Sequence, residues 1–234
     1  MRARRLFLLI AFVSLAFSAS GFADTSSAVF AYSGIPYQAP VLVLDGTSIT
    51  ANSSGWYDQN GNHESENPNY IAGICGSSDS CYGYDVDYRD FFIFAIPSGS
   101  YSQASLQLYN PSLAQGDSGN GYVSATSSLT YTNWDVSTDL GTLAAQQLGL
   151  TAVYADLGSG VLFASTVMTP DDDGQWVNIQ LDAAALNSIN AAAGGDWAVG
   201  GAVNSAVAPE PSSIVLFATG FLGMAGAIRR KLTA

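Results

Sequence analysis

Apolar and polar positions run through the middle of the chain in short alternating stretches, and this period of two predicts strands. Ala104 to Tyr109 is the clearest case, with Leu106 and Leu108 toward one face and Ser105 and Gln107 toward the other. Sequential strands are usually neighbours, so it is expected to pair near the run before it. That run, Phe91 to Ile96, is continuously apolar between Arg89-Asp90 and Pro97-Ser98-Gly99, and reads as a central strand buried on both faces. Val41 to Leu44 is followed by the turn signal Asp45-Gly46. Further strands are predicted within Asp24 to Tyr32, Gly121 to Thr132, Trp134 to Val136, Leu150 to Leu157, Val161 to Met168 and Trp176 to Leu181, with a hairpin at Gly158-Ser159-Gly160.

One stretch departs from that pattern. Asp182 can cap a helix over Ala183 to Ala193, in which Leu186 and Ile189 share a face and Gly194-Gly195 ends the run. Trp197 to Val203 then returns as a last strand whose small residues imply a bend or a close backbone approach. Between the early strands and Phe91 lies the long polar segment Asn52 to Tyr88, part of it loop and the first place to look for a surface site. The expected fold is all-β, a jelly-roll-like β-sandwich with one short helix.

The two ends are patterned differently. Arg2, Arg4 and Arg5 precede an apolar run from Leu6 to Ala16, and Gly21-Phe22-Ala23 offers small residues at a cleavage site. These features predict a secretory signal peptide over residues 1–23, removed by signal peptidase after Ala23. At the other end, Pro209-Glu210-Pro211 is followed by an uncharged run from Ile214 to Ile228 and then Arg229-Arg230-Lys231. As a helix the run reaches about 22 Å, short of the roughly 30 Å hydrocarbon core. Adding Ser212 and Ser213, with snorkelling cations behind, makes a transmembrane helix over residues 212–228, its basic end cytoplasmic. The two prolines hold the preceding linker extended.

In these residues, in this order, the tail resembles the PEP-CTERM sorting signal of Gram-negative bacteria. The resemblance implies that an exosortase recognises Pro209, Glu210 and Pro211 and removes the helix. It also implies a cell-envelope or surface location, transiently anchored in the membrane, in an organism that makes exopolysaccharide and biofilm matrix.

Setting both ends aside changes the charge picture. Six of the seven Lys and Arg residues lie in the ends, so Arg89 stands alone between Asp24 and Ala208 against eighteen of the nineteen acids, a formal charge of −17. Such a surface repels nucleic acid and anionic lipid and suits solubility outside the cell, with affinity for divalent cations a further option. Three segments follow: the signal at 1–23, one exported domain at 24–205, and the sorting tail at 206–234. Cys75 and Cys81, in an exported chain, read as a local disulfide. Zinc would need four ligands, and only His63 could join the two thiolates.

Candidate chemistry in the domain is sparse. Asp171-Asp172-Asp173 before Gly174 could hold calcium but lacks the spacing of an EF-hand, and a solvated turn is the simpler reading. Asp85, Asp87 and Asp90 surround Arg89, which predicts a structural ion pair; a pair of these carboxylates is also what glycoside hydrolysis would need. His63 is the single histidine, expected in a solvated loop, and no Gly-x-Ser-x-Gly elbow, phosphate loop or dinucleotide fingerprint occurs. The aromatics Trp56, Tyr57, Tyr70 and Tyr82, with Tyr84 and Tyr88, are candidates for stacking on sugar rings, or else for filling the core.

The run Tyr88 to Ile96, then Ala104 to Asn110, and the late strand, helix and Trp197 strand are similar in order to jelly-roll modules related to carbohydrate-binding modules. That resemblance implies a sandwich and an extracellular polysaccharide as partner. The sequence therefore reads as an exported, non-enzymatic structural or glycan-associated protein without a cofactor, and the alternative is an extracellular polysaccharide hydrolase.

Overall fold

The computed structural model describes residues 28–31, 39–75, 86–110, 129–172 and 174–204. They form two antiparallel sheets packed face to face, a β-sandwich. The larger sheet contains β1 (Ala28–Ala31), β5 (Tyr70–Cys75), β6 (Val86–Ala95), β11 (Asp196–Asn204), β8 (Leu129–Asp135) and β9 (Leu162–Met168) in that order, with β4 (Ser53–Asp58) also paired to β6. The smaller sheet runs β10 (Gln175–Gln180), β7 (Ala104–Asn110), β2 (Val41–Leu44), β3 (Thr47–Thr50).

Period-two patterning decides most of this. Along β7, Ala104, Leu106, Leu108 and Asn110 are buried while the residues between them are partly exposed. Leu106 sits beside Leu42 of β2 and Ile179 of β10, a row of aliphatics facing inward. The β2–β3 hairpin closes through Asp45 (φ 46°) and Gly46 (φ 83°), two left-handed residues that match strand twist. Asp45 is held there by hydrogen bonds to its carboxylate from the Ser102 and Gln103 amides. One pairing differs from expectation: β7 lies in the sheet opposite β6. The flanks of β6 are taken by β4, β5 and β11, so β7 pairs instead with β2 and β10 and packs its one buried face on the same core as Phe92 and Phe94.

β6 is buried on both faces, as its unbroken apolar run requires. Phe92, Phe94 and Ile96 enter the core between the sheets, whereas Phe91 and Ile93 enter a second cluster with Tyr57, Leu143, Val153, Leu157 and Ala198. Each fully buried Phe contributes about 2 to 3 kcal/mol. The second cluster is roofed by two helices, α1 (Leu140–Ala144) and α2 (Thr151–Asp156), so the sandwich carries a third layer on its larger sheet.

Those helices correct the reading of Leu150 to Leu157 as a strand. Leu150, Val153 and Leu157 recur at steps of three and four, which is a helical stripe, and it packs on Phe91 and Ile93. The Gly158-Ser159-Gly160 hairpin accordingly does not form. The chain leaves α2 through a turn, Ser159 N–H to Asp156 O at 3.3 Å, and enters β9 after Gly160 at φ 97°. The predicted late helix is present as α3 (Ala183–Ala191), capped by the Asp182 carboxylate accepting from the Ala185 amide at 2.9 Å. Ala185 and Ile189 are buried and Leu186 packs beside them.

Two glycines of β11 permit the close approaches expected there. A Cβ on Gly200 would lie 2.7 Å from the Leu157 carbonyl oxygen, so its absence lets α2 reach the sheet. A Cβ on Gly201 would overlap the Tyr131 hydroxyl and the Asp90 carboxylate, which occupy that space on the inner face.

Candidate functional site

Among the described aromatics of the long polar segment, Tyr57 and Tyr70 turn inward. Tyr57 is fully buried beneath α1, its hydroxyl donating to the Thr142 and Leu143 carbonyls at 3.2 and 3.1 Å. Tyr70 is fully buried between the sheets, edge-on to Phe92, and donates to the Tyr109 carbonyl at 3.1 Å. Neither ring has a face for a sugar, because alternate positions of β4 and β5 point into cores that need bulk. Trp56 is half-buried, edge-on to Tyr88 at 5.4 Å. Tyr82 and Tyr84 lie outside the described residues.

His63 is buried rather than solvated. Its ring stacks on Tyr57 at 5.0 Å, meets Phe91 edge-on, and Nδ1 lies 2.9 Å from the Trp56 carbonyl. Burial lowers its pKa, against the pull of the Trp56 and Ala144 carbonyls. The polar surroundings in sequence hid this, since His63 bridges to Gln147, far along the chain.

The carboxylates around Arg89 also separate. Among the described residues the guanidinium's hydrogen bonds go to the Tyr154 and Ala155 carbonyls at 2.9 and 3.0 Å, and its carbon sits 4.2 Å from the Tyr154 ring centre. Among the described residues the guanidinium thus clamps the end of α2, where a cation is favoured by the helix dipole and by the Tyr154 ring. Asp87 accepts from the Tyr154 hydroxyl at 2.6 Å on that same side. Asp90 points to the other side of β6, into the interior, where it accepts from Tyr131 at 2.7 Å. Asp87 and Asp90 therefore flank no common space, and Asp85 lies outside the described residues.

Asp90 is fully buried, and desolvation pushes its carboxyl up to about 7 despite the Tyr131 hydrogen bond. Its second oxygen and the Asn133 side-chain oxygen are buried and have no partner among the described residues. Asn133 donates to the Gly200 carbonyl at 3.3 Å. Burial likewise raises the Tyr131 and Tyr70 phenols.

Asp171 and Asp172 lie in a short 3₁₀ turn, and the Asp172 carboxylate accepts from the Thr169 amide and hydroxyl at 2.7 and 3.1 Å. It is thereby engaged in its own turn; Asp173 lies outside the described residues, among which no cluster of three metal-binding side chains occurs. A shallow depression of about 390 Å³ lies between Ser137-Thr138 and α2. The Asp156 carboxylate there accepts from the amides and hydroxyls of both Ser137 and Thr138. Burial opposes its ionisation, yet those hydrogen bonds prevail and hold its pKa below the usual value. It pins a loop and leaves no carboxylate oxygen free for chemistry.

What the sequence reading missed is the outer face of the smaller sheet. Strand register assembles it in three rows. Trp176 pairs with Tyr109; Asn178 with Gln107, Val41 and Thr50; Gln180 with Ser105, Val43 and Ser48. None of these side chains carries a carboxylate or a cation. The face measures about 14 Å along the strands and about 14 Å across them. Trp176 is 42% exposed and its ring lies 5.6 Å from Tyr109, tilted at 63°. The alternation of polar and apolar residues in β7 and Trp176 to Leu181 already carried the outward set. Only pairing across four distant strands shows that it forms one surface.

The side chains of Cys75 and Cys81, the signal with Ala23, the sorting residues Pro209, Glu210 and Pro211, and the basic group Arg229, Arg230 and Lys231 lie outside what the structure describes. Among the described residues no helix is long and apolar enough to cross a membrane. Comparison with family models finds the PEP-CTERM protein-sorting motif at residues 207–231. No curated protein and no solved structure matches the chain. The motif marks a protein that is exported, held in the membrane before processing, and sorted by an exosortase to the surface or beyond.

Proposed function

We infer that this exosortase-sorted chain is a non-enzymatic, glycan-associated component of the cell surface or extracellular matrix. The observation that carries the reading is the outer face of the smaller sheet: a surface of tryptophan, tyrosine, amides and hydroxyls on a chain marked for export by its tail. Aromatic faces cover the apolar side of a sugar ring, and amides pair with its hydroxyls. The divergence of Asp87 and Asp90 to opposite sides of β6 supports the non-catalytic half of the reading, since hydrolysis needs two acids about one bond.

The chain, expressed in a producing bacterium, tests this. It is expected to co-purify with matrix polysaccharide and to be released when that polymer is digested. Recovery of the processed chain free of polysaccharide would refute the association. Replacement of Pro209 and Glu210 by alanine is expected to leave an uncut, membrane-held form, and a normally processed product would remove the assigned role of those residues.

A further inference from the structure

Resting on that glycan-associated reading, we propose that the outer face of the smaller sheet binds neutral polysaccharide and rejects acidic polymers. The face offers no cation to pair with a carboxylate or sulfate group. Nor can one be supplied from elsewhere in the domain. Arg89 is the single Lys or Arg between Asp24 and Ala208, and its guanidinium is engaged with the Tyr154 and Ala155 carbonyls on the opposite sheet. An anionic chain would therefore approach the field of eighteen carboxylates with nothing to offset it.

The face is also unlike a protein-docking surface. Amide and hydroxyl side chains outnumber apolar ones on it, and serine is depleted where proteins pack together. Three of its polar groups are unspent. Among the described residues the Trp176 indole N–H and the side-chain amides of Asn178 and Gln107 carry no hydrogen bond, and the two amides stand opposite one another in register. Each amide presents a donor and an acceptor together, the combination that a hydroxyl-rich neutral polymer satisfies. The exposed indole beside them supplies the stacking platform. Gln180 contributes less, since its amide donates to the Ala104 carbonyl at 2.8 Å.

The test uses the purified full chain in detergent, presented with an unbranched neutral glucan and with a uronate-rich polymer of matched length. The glucan is expected to bind equally at low salt and at about 0.5 M salt, where charge interactions are screened, and the uronate polymer not to bind at either. Trp176→Ala is expected to weaken glucan binding about tenfold, with an unchanged unfolding midpoint, and Trp176→Phe to retain most of it. Uronate binding as strong as glucan binding overturns the proposal. Undiminished glucan binding by Trp176→Ala also overturns it, placing the glycan site elsewhere while association itself stands. Binding of neither polymer overturns both.

Discussion

Raising the pH from about 4 to 7 is expected to weaken the fold through one group, the Asp90 carboxyl. In the folded chain it is fully buried, with the Tyr131 hydroxyl on one oxygen and no partner among the described residues for the other. Its pKa is pushed from 3.8 to about 7, chiefly by loss of hydration. Between those values the folded state keeps a proton that the unfolded chain has released. Stability is then full below about 4, falls as pH rises, and levels off above about 7. At about 1.4 kcal/mol per pH unit, the interval is worth about 4 kcal/mol. The neutral phenols facing Asp90, Tyr131 and Tyr70, stay protonated throughout this range, because burial raises both. His63 acts in the opposite sense: its lowered pKa makes stability rise toward pH 6.5. The measurement is therefore a difference between wild type and Asp90→Asn, which keeps an acceptor for Tyr131 and has no proton to lose. Urea unfolding followed by tryptophan fluorescence from pH 4 to 8 gives both curves. The variant is expected to gain about 4 kcal/mol on the wild type across the range. Parallel curves would overturn this account, since they would mean that Asp90 titrates alike in the folded and unfolded chains.

Three further outcomes follow from the packing. Gly201→Ala places a methyl group on the Tyr131 hydroxyl and Asp90, and is expected to cost about 3 kcal/mol or to prevent folding, read by thermal denaturation. Tyr57→Phe removes the hydroxyl that holds the Thr142 and Leu143 carbonyls and is expected to cost about 1 kcal/mol in urea unfolding, with faster amide exchange confined to α1. Asp182→Ala strips the cap of α3 and is expected to lose about 1 kcal/mol, which Asp182→Ser largely restores.

Features that depend on near neighbours along the chain were legible in the residues alone. Strand alternation placed β7 with its inward face, the apolar runs marked β9 and β10, Asp45-Gly46 closed a hairpin, Asp182 capped α3, and the tail declared its sorting motif. Each of these rests on a local rule: a period of two, a turn that needs positive φ, an orphan amide that needs an acceptor. The remaining features arise from contacts between distant segments. Leu150 to Leu157 holds both a strand-like and a helix-like pattern, and the bare outer side of β6, with Phe91 and Ile93 to cover, selected the helix. His63, Tyr57 and Tyr70 looked available in a polar segment and became core because partners such as Gln147, Leu143 and Phe92 lie distant in sequence. Asp87 and Asp90, three positions apart, were sent to opposite sides of one strand by its pleat. The face bearing Trp176, Tyr109, Asn178 and Gln107 came into being only when β10, β7, β2 and β3 aligned, because a surface made by register exists in no single stretch of chain.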